Sequence, residues 1–367
     1  MDAQMVISID FFSKAIAALD NPILTTLSVA ADPLTYITLF IVAVWLFFFK
    51  YKKDKRKKDA LLLSILLLFV AVQSIKFFMP QQRPCSSGIE SKIDCPNDSA
   101  FPSAHAAFAS LFLLPFISSI YFIPYALFVA FVAFSRIYVG VHSVVDVSAG
   151  LMFGIAACLI ADRFVSKNAQ KAAGKQKPGE LARQITHIIF GVISLAIILF
   201  FFSATADWRA LASLFFSMIL VALLFVVFLM NFSVQIPLVS RYLRGISIRD
   251  SFAGEAALWY VLGVLLLLTF LNNFQYIVGS LMILTLGDSI STIFASQSRK
   301  TSIFKNKTPG SFFAFVAFSL PATLFIGPSA IPLIVVCAIV ESIDLKIDDN
   351  FLIPLVCALY LSFIQPF

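Results

Sequence analysis

The chain has 367 residues, 60% of them hydrophobic, and its mean hydropathy is +0.94. That excludes an ordinary soluble domain, which holds far fewer apolar residues. The formal charge of +7 does not argue for nucleic acid, because most of the basic excess lies in short loops between apolar runs, where it sets membrane topology.

The first four residues, Met1-Asp2-Ala3-Gln4, lack a basic stretch, so no cleavable signal peptide is expected. Residues 9–30 are moderately apolar and read as an interfacial amphipathic helix. Residues 34–49 are the first spanning run. The basic block at residues 50–59 marks a cytoplasmic loop. Residues 60–78 then run outward, which places Lys76 and Arg83 at the outer face. Residues 104–134 are too long for one span, and a turn near Ser118, Ser119 and Pro124 divides them into two. Residues 147–161 return inward. Together these runs make five spans, a domain of residues 1–163. The basic, polar stretch of residues 164–182 reads as a cytoplasmic linker.

Residues 183–367 hold seven more spanning candidates, near 185–203, 211–230, 252–271, 274–295, 312–326, 331–340 and 351–364. The loops that this count makes cytoplasmic carry Arg241, Arg244, Arg249, Arg299, Lys300, Lys305 and Lys307, whereas the outer turns carry only Arg209. The expected fold is therefore all-α and polytopic, about 12 transmembrane helices in two domains of five and seven. Of five cysteines, Cys158, Cys337 and Cys357 lie in apolar runs and read as packing residues. Cys85 and Cys95 flank one polar loop and could form a disulfide on an oxidising side.

Polar clusters interrupt the first domain in three places. They are Lys76 with Arg83-Pro84, Pro102-Ser103-Ala104-His105, and Ser135-Arg136 followed by His142 and Asp146. Buried cations and histidines in a membrane are costly and mark function. Lys76, Arg83 and Arg136 supply positive charge for a phosphoryl group. Ser103 and the N–H groups at Ala104 and His105 begin a helix, an end that favours anions. His142 and Asp146 are four apart, so a helix would bring them to one face, where the carboxylate orients the imidazole. His142 is thus the expected nucleophile, forming a phosphohistidine, and His105 the general acid and then base. These spacings resemble the three signature motifs of the type 2 phosphatidic acid phosphatase family over about residues 20–162, with Ala104 where that family usually has Gly. The resemblance implies a metal-independent lipid phosphatase or diphosphatase.

The second domain has its own polar set at the expected cytoplasmic ends. It comprises Arg183 and His187, Gly254-Glu255-Ala256, Gly287-Asp288, Lys307-Thr308 with Gly310-Ser311, and Glu341 with Asp348-Asp349-Asn350. An intramembrane Asp beside Gly is a functional candidate. Gly310 and Ser311 could hold phosphate at a helix start. Arg183, His187, Arg299, Lys300 and Lys307 are the further expected nucleotide-binding residues. Cations with the carboxylates Asp288, Glu341, Asp348 and Asp349 suit a metal-bound triphosphate. This half resembles the dolichol kinase and phytol kinase family, relatives of phosphatidate cytidylyltransferase, over about residues 183–367. It departs at Gln184, usually Lys, and at Pro309, usually Glu. The resemblance implies CTP and Mg²⁺ as cofactors, with Asp288 catalytic.

The combined expectation is a bifunctional integral membrane enzyme. An extracytoplasmic site would remove phosphate from polyprenyl (dolichyl) diphosphate or phosphate without a cofactor. A cytoplasmic site would phosphorylate polyprenol with CTP. Two alternatives stand beside it: a phosphatidate phosphatase joined to a diacylglycerol kinase, and a non-enzymatic lipid transporter or scramblase.

Overall fold

The computed structural model describes residues 10–165, 180–232, 254–297, 308–343, 345 and 347–364. Among them every regular element is helical. Seven helices are long and apolar enough to cross a membrane, and five shorter apolar helices of 10–17 residues accompany them. The protein is an all-α, polytopic, integral membrane protein. Two compact units are present, one chiefly of residues 1–166 and the other chiefly of residues 167–366. Residues 166–179, most of the expected linker, lie outside the described residues.

In the first unit α1 (Phe11–Ala17) starts at Asp10, whose carboxylate accepts from Ser13 N at 2.8 Å. The next helix, α2 (Pro22–Trp45), corrects the sequence reading. Residues 22–30 are not part of a separate helix; they open one continuous helix, long and apolar enough to span a membrane, that runs on through a π-helical turn, Leu46–Lys50. Pro33 lies inside α2, a position that membrane helices tolerate when neighbours satisfy the freed backbone. α3 (Lys55–Phe78) returns, and a loop closed by the Cys85–Cys95 disulfide leads to α4 (Ala104–Leu111) and α5 (Leu113–Phe116). The chain turns at Ile117–Tyr121, as the serines there suggested, into α6 (Phe122–Tyr138) and then α7 (Val144–Val165).

Two glycines set how closely α7 meets α4. A Cβ on Gly150 would lie 2.5 Å from Ser103 O, and one on Gly154 would lie 2.2 Å from Ala107 O. Small residues four apart let two membrane helices approach to backbone contact. α2 is tied to the end of α6 by Tyr138, whose hydroxyl bonds Thr25 Oγ1 at 2.8 Å and accepts from Asn21 N at 3.2 Å.

The second unit contains α8 (Glu180–Ala204), α9 (Trp208–Asn231), α10 (Glu255–Phe270), α11 (Phe274–Met282), α12 (Ser289–Gln297), α13 (Pro309–Ser319), α14 (Thr323–Ile326), α15 (Ala330–Ser342) and α16 (Asp349–Ile364). Between α11 and α12 the helix widens into a π-helical turn, Ile283–Asp288. Such turns often mark functional positions. This one carries Gly287-Asp288, and a Cβ on Gly287 would press on Ser319 Oγ at 2.4 Å.

Candidate active site

All three motifs of the first unit converge. Arg83 is buried and spends its guanidinium on four contacts. Nε donates to Asp98 O at 3.1 Å, Nη1 to Val141 O at 3.1 Å, and Nη2 to Asp98 Oδ1 at 2.6 Å, while Nη1 also lies 3.2 Å from His142 Nε2. Lys76 Nζ donates to Asp98 Oδ2 at 2.5 Å and to Ser99 O at 2.8 Å. The Asp98 carboxylate therefore bridges the two cations with one oxygen each, as two oxygens of a bound phosphate would. Burial alone would raise its pKa. The hydrogen bonds from Lys76 and Arg83, with their charges, outweigh that and bring it to about 2. Asp98 stays ionised at any ordinary pH, and a phosphate has to compete with it.

His142 is not on a helix, contrary to the sequence reading. It lies in the turn before α7, and capping geometry brings Asp146 to it. Ser143 N donates to Asp146 Oδ2 at 2.7 Å and Asp146 N donates to Ser143 Oγ at 3.2 Å, a reciprocal capping box. The same Oδ2 lies 3.8 Å from His142 Nδ1, an ion-pair separation rather than a hydrogen bond. Burial holds the His142 imidazole below its ordinary pKa, against the opposing pull of Asp146. The ring is then neutral at neutral pH, with a lone pair available.

The second motif sits beside them. Ser103 N donates to Asp146 O at 3.0 Å, which fixes the start of α4 against the start of α7. Ser103 is fully buried, its Oγ makes no hydrogen bond, and it does not cap α4. A buried hydroxyl left open beside an uncapped helix start has the chemistry of an anion cradle. Ala104 and His105 supply the first N–H groups of that helix.

Arg136 sits differently from its expected role. It is buried to 1% exposure, and its guanidinium is turned toward α2. Nη1 is paired with the Asp32 carboxylate, Nη2 donates to Ser28 O at 2.9 Å, and Nε donates to Ser135 Oγ at 3.2 Å. Asp32 Oδ1 also lies 3.3 Å from His105 Nε2. Sequence reasoning missed Asp32 and Asp98. The available signal for Asp32 was a carboxylate inside an apolar helix, which demands a partner. At the C-terminal end of α3, next to Lys76, Phe77 and Phe78 are 77% and 76% exposed.

In the second unit a buried polar cluster forms around His187. Its Nδ1 lies 2.9 Å from Ser289 Oγ and 3.8 Å from Asp288 Oδ2. Ser291 Oγ donates to Glu341 Oε1 at 2.8 Å, and Asn350 is buried close to the His187 ring. Gly191 permits this approach, because a Cβ there would meet Thr285 Oγ1 at 2.3 Å. Besides His187, three of the expected nucleotide-binding residues lie among the described ones. Ser311 Oγ is committed to a capping box, accepting from Thr308 N at 3.1 Å and donating to Thr308 O at 2.8 Å. Gly310 beside it is exposed, with Thr308 Oγ1 3.7 Å from the place of a Cβ, and Arg183 is half-buried at the start of α8, its charge acting on the His187 ring. Arg299, Lys300 and Lys307 lie outside the described residues. Among the described residues no group of three or more His, Cys, Asp or Glu side chains could hold a metal ion. Asp288, Glu341, Asp348 and Asp349 thus do not assemble there into the expected Mg²⁺ site.

Comparison with known proteins places a family match in the first part of the chain. Residues 58–170 match the PAP2 superfamily. The uncharacterized protein MJ1137 of Methanocaldococcus jannaschii is 26% identical over 186 residues, half of this chain and 93% of that protein. The crystal structure of LpxE from Aquifex aeolicus shares 26% identity and covers 44% of this chain and 98% of its own, with a TM-score of 0.38.

Proposed function

We propose that the first unit is a membrane lipid phosphatase acting through a phosphohistidine on His142, with polyprenyl diphosphates and phosphates as its substrates. The observation that carries this reading is the convergence of Arg83 and Asp146, with the charge of Lys76 nearby, on one neutral imidazole, His142. In the first step His142 Nε2 attacks phosphorus and the bond to the lipid-side oxygen breaks. That oxygen takes a proton from His105. In the second step His105 removes a proton from water, the new P–O bond forms, and the P–N bond breaks to regenerate His142. The cations and the α4 start hold the equatorial oxygens throughout. No residue of this set needs a metal for either step.

An extracytoplasmic position for this site is part of the proposal. The Cys85–Cys95 disulfide supports it, because such bonds persist on oxidising sides. Purified full-length protein should release phosphate from a polyprenyl diphosphate faster than from phosphatidate. It should lose that activity on His142→Ala while still melting like wild type. An active His142→Ala protein excludes the mechanism, and a preference for phosphatidate moves the substrate to glycerolipids. A transporter would release no phosphate at all.

A second reading applies to residues 183–367. The buried cluster of His187, Asp288, Ser289, Ser291, Glu341 and Asn350 supports a phosphotransferase that would use CTP on a polyprenol. It would face the cytoplasm, where the nucleotide is. Asp288→Asn should keep the phosphatase and remove nucleotide-dependent lipid phosphorylation. If wild type phosphorylates no lipid alcohol with CTP or ATP, this half is a scaffold.

A further inference from the structure

The residue that the proposed mechanism leaves unexplained is Asp32. It stands on α2, ahead of the segment that matches the PAP2 superfamily. Its carboxylate nonetheless touches two members of the site. Oδ1 pairs with Arg136 and lies 3.3 Å from His105 Nε2. One helical turn further, Tyr36 lays its ring on the His105 imidazole with centroids 4.6 Å apart. Residues four apart share a helix face, so α2 presents His105 with a carboxylate and an aromatic wall together. His105 Nε2 is buried and makes no hydrogen bond. The nitrogen is close to a negative charge but free to turn to another partner.

A general acid must carry its proton before the leaving oxygen needs it. His105 has to do so in poor surroundings. The charged and titratable groups that face it are Asp32 and Tyr36 from α2, Arg136 from α6, and His142 from the turn before α7. α3 and α7 also pack on α4, but Lys76 of α3 pairs with Asp98 and Asp146 of α7 faces His142. Among these neighbours of His105, Asp32 alone is a carboxylate. It acts twice, since it neutralises Arg136 and attracts the imidazolium. Without it, a fixed guanidinium would face the acid uncompensated.

We infer that Asp32 is a positioning residue of the phosphatase, which orients the His105 imidazole and favours its protonated form by pairing with both His105 and Arg136. The site would then contain two His–Asp pairs of opposite purpose. Asp146 serves the neutral nucleophile and Asp32 the charged acid. This inference rests on the phosphatase reading above.

The test is the pH profile of Asp32→Asn in the full-length protein. The assay uses a natural polyprenyl diphosphate and a lipid phosphate ester with an activated aryl leaving group. The amide keeps an acceptor for Arg136 and removes the charge. With the natural substrate, kcat at neutral pH should fall by at least tenfold. The basic limb should move down by roughly one pH unit, the size expected when a neighbouring charge is removed. The acid limb, which belongs to His142, should stay in place. The activated ester should lose far less, since it does not need the proton. Asp32→Glu should restore the basic limb, which also covers the case in which Asp32→Asn fails to fold. Equal losses on both substrates with an unmoved basic limb, or a Glu variant as impaired as Asn, would overturn the role of Asp32 alone. A wild type that releases no phosphate from any lipid phosphate would overturn the phosphatase reading itself, and this inference with it.

Discussion

Gly150→Ala offers the sharpest test of how the site is held. A Cβ at this position would stand 2.5 Å from Ser103 O, 3.0 Å from Ala106 Cβ and 3.1 Å from Ala107 N. Two of these atoms are backbone, so no side chain can swing aside. Restoring ordinary contact at about 3.5 Å requires the start of α4 to move by about 1 Å. Overpacking of this kind typically costs about 1–3 kcal/mol. The displaced segment is the one that carries Ser103, Ala104 and His105, and it is also fixed to Asp146 O by Ser103 N. A misplacement of about 1 Å in a catalytic array can cost roughly 100-fold in rate. We therefore expect kcat for phosphate release to fall by roughly 30- to 100-fold, out of proportion to a modest drop in melting temperature. Ile155→Val on the same helix is the comparator, because Ile155 is a buried core residue and losing one methylene costs about 1 kcal/mol. It should match part of the stability loss and keep the rate. If Gly150→Ala melts lower but turns over within twofold of wild type, the α4–α7 approach does not position the site.

Four further outcomes can be checked. Asp98→Asn should let inorganic phosphate inhibit at roughly tenfold lower concentration, because the carboxylate no longer competes for Lys76 and Arg83; an unchanged inhibition constant would show that Asp98 does not occupy the phosphate position. The acid limb of kcat/KM should fall below the ordinary histidine range of about 6.5, because burial depresses His142 and the nucleophile is lost only when pH drops through that lowered value. A limb above that range in steady-state kinetics would contradict a neutral buried nucleophile. Replacing Cys85 and Cys95 together by Ser opens a loop of sequence separation 10, which should cost up to about 3 kcal/mol of stability, read as a lower melting temperature that reducing agent reproduces in wild type. Phosphate release should survive excess EDTA, and its loss would bring a metal into the first site.

Motif spacing made the first site legible, while the packing around it was not. Lys76 and Arg83, Ser103 and His105, and His142 and Asp146 are each separated by a few residues, so short-range periodicity carries their relation. The Asp32–Arg136 pair joins residues 104 positions apart, and no local pattern encodes it. Residues 9–30 are only moderately apolar, so the first span was read as starting twelve residues late. The structure pairs Asp32, inside that helix, with a buried guanidinium. In the second unit the Gly310-Ser311 pair was read as a phosphate cradle. A Thr308-x-x-Ser311 capping box uses the same residue types at the same place, and sequence alone cannot separate the two.

Lys76 is followed at once by two phenylalanines that the protein leaves uncovered. On the proposed phosphatase reading those rings would meet acyl chains, so a substrate anchored by its tail would approach Lys76 sideways, without leaving the leaflet. Encounter is then a two-dimensional event. The quantity that drives turnover is the mole fraction of substrate among its neighbouring lipids. Adding inert lipid or detergent should slow the reaction at constant bulk substrate, so Michaelis constants in moles per litre would vary with preparation, whereas those in mole per cent would agree.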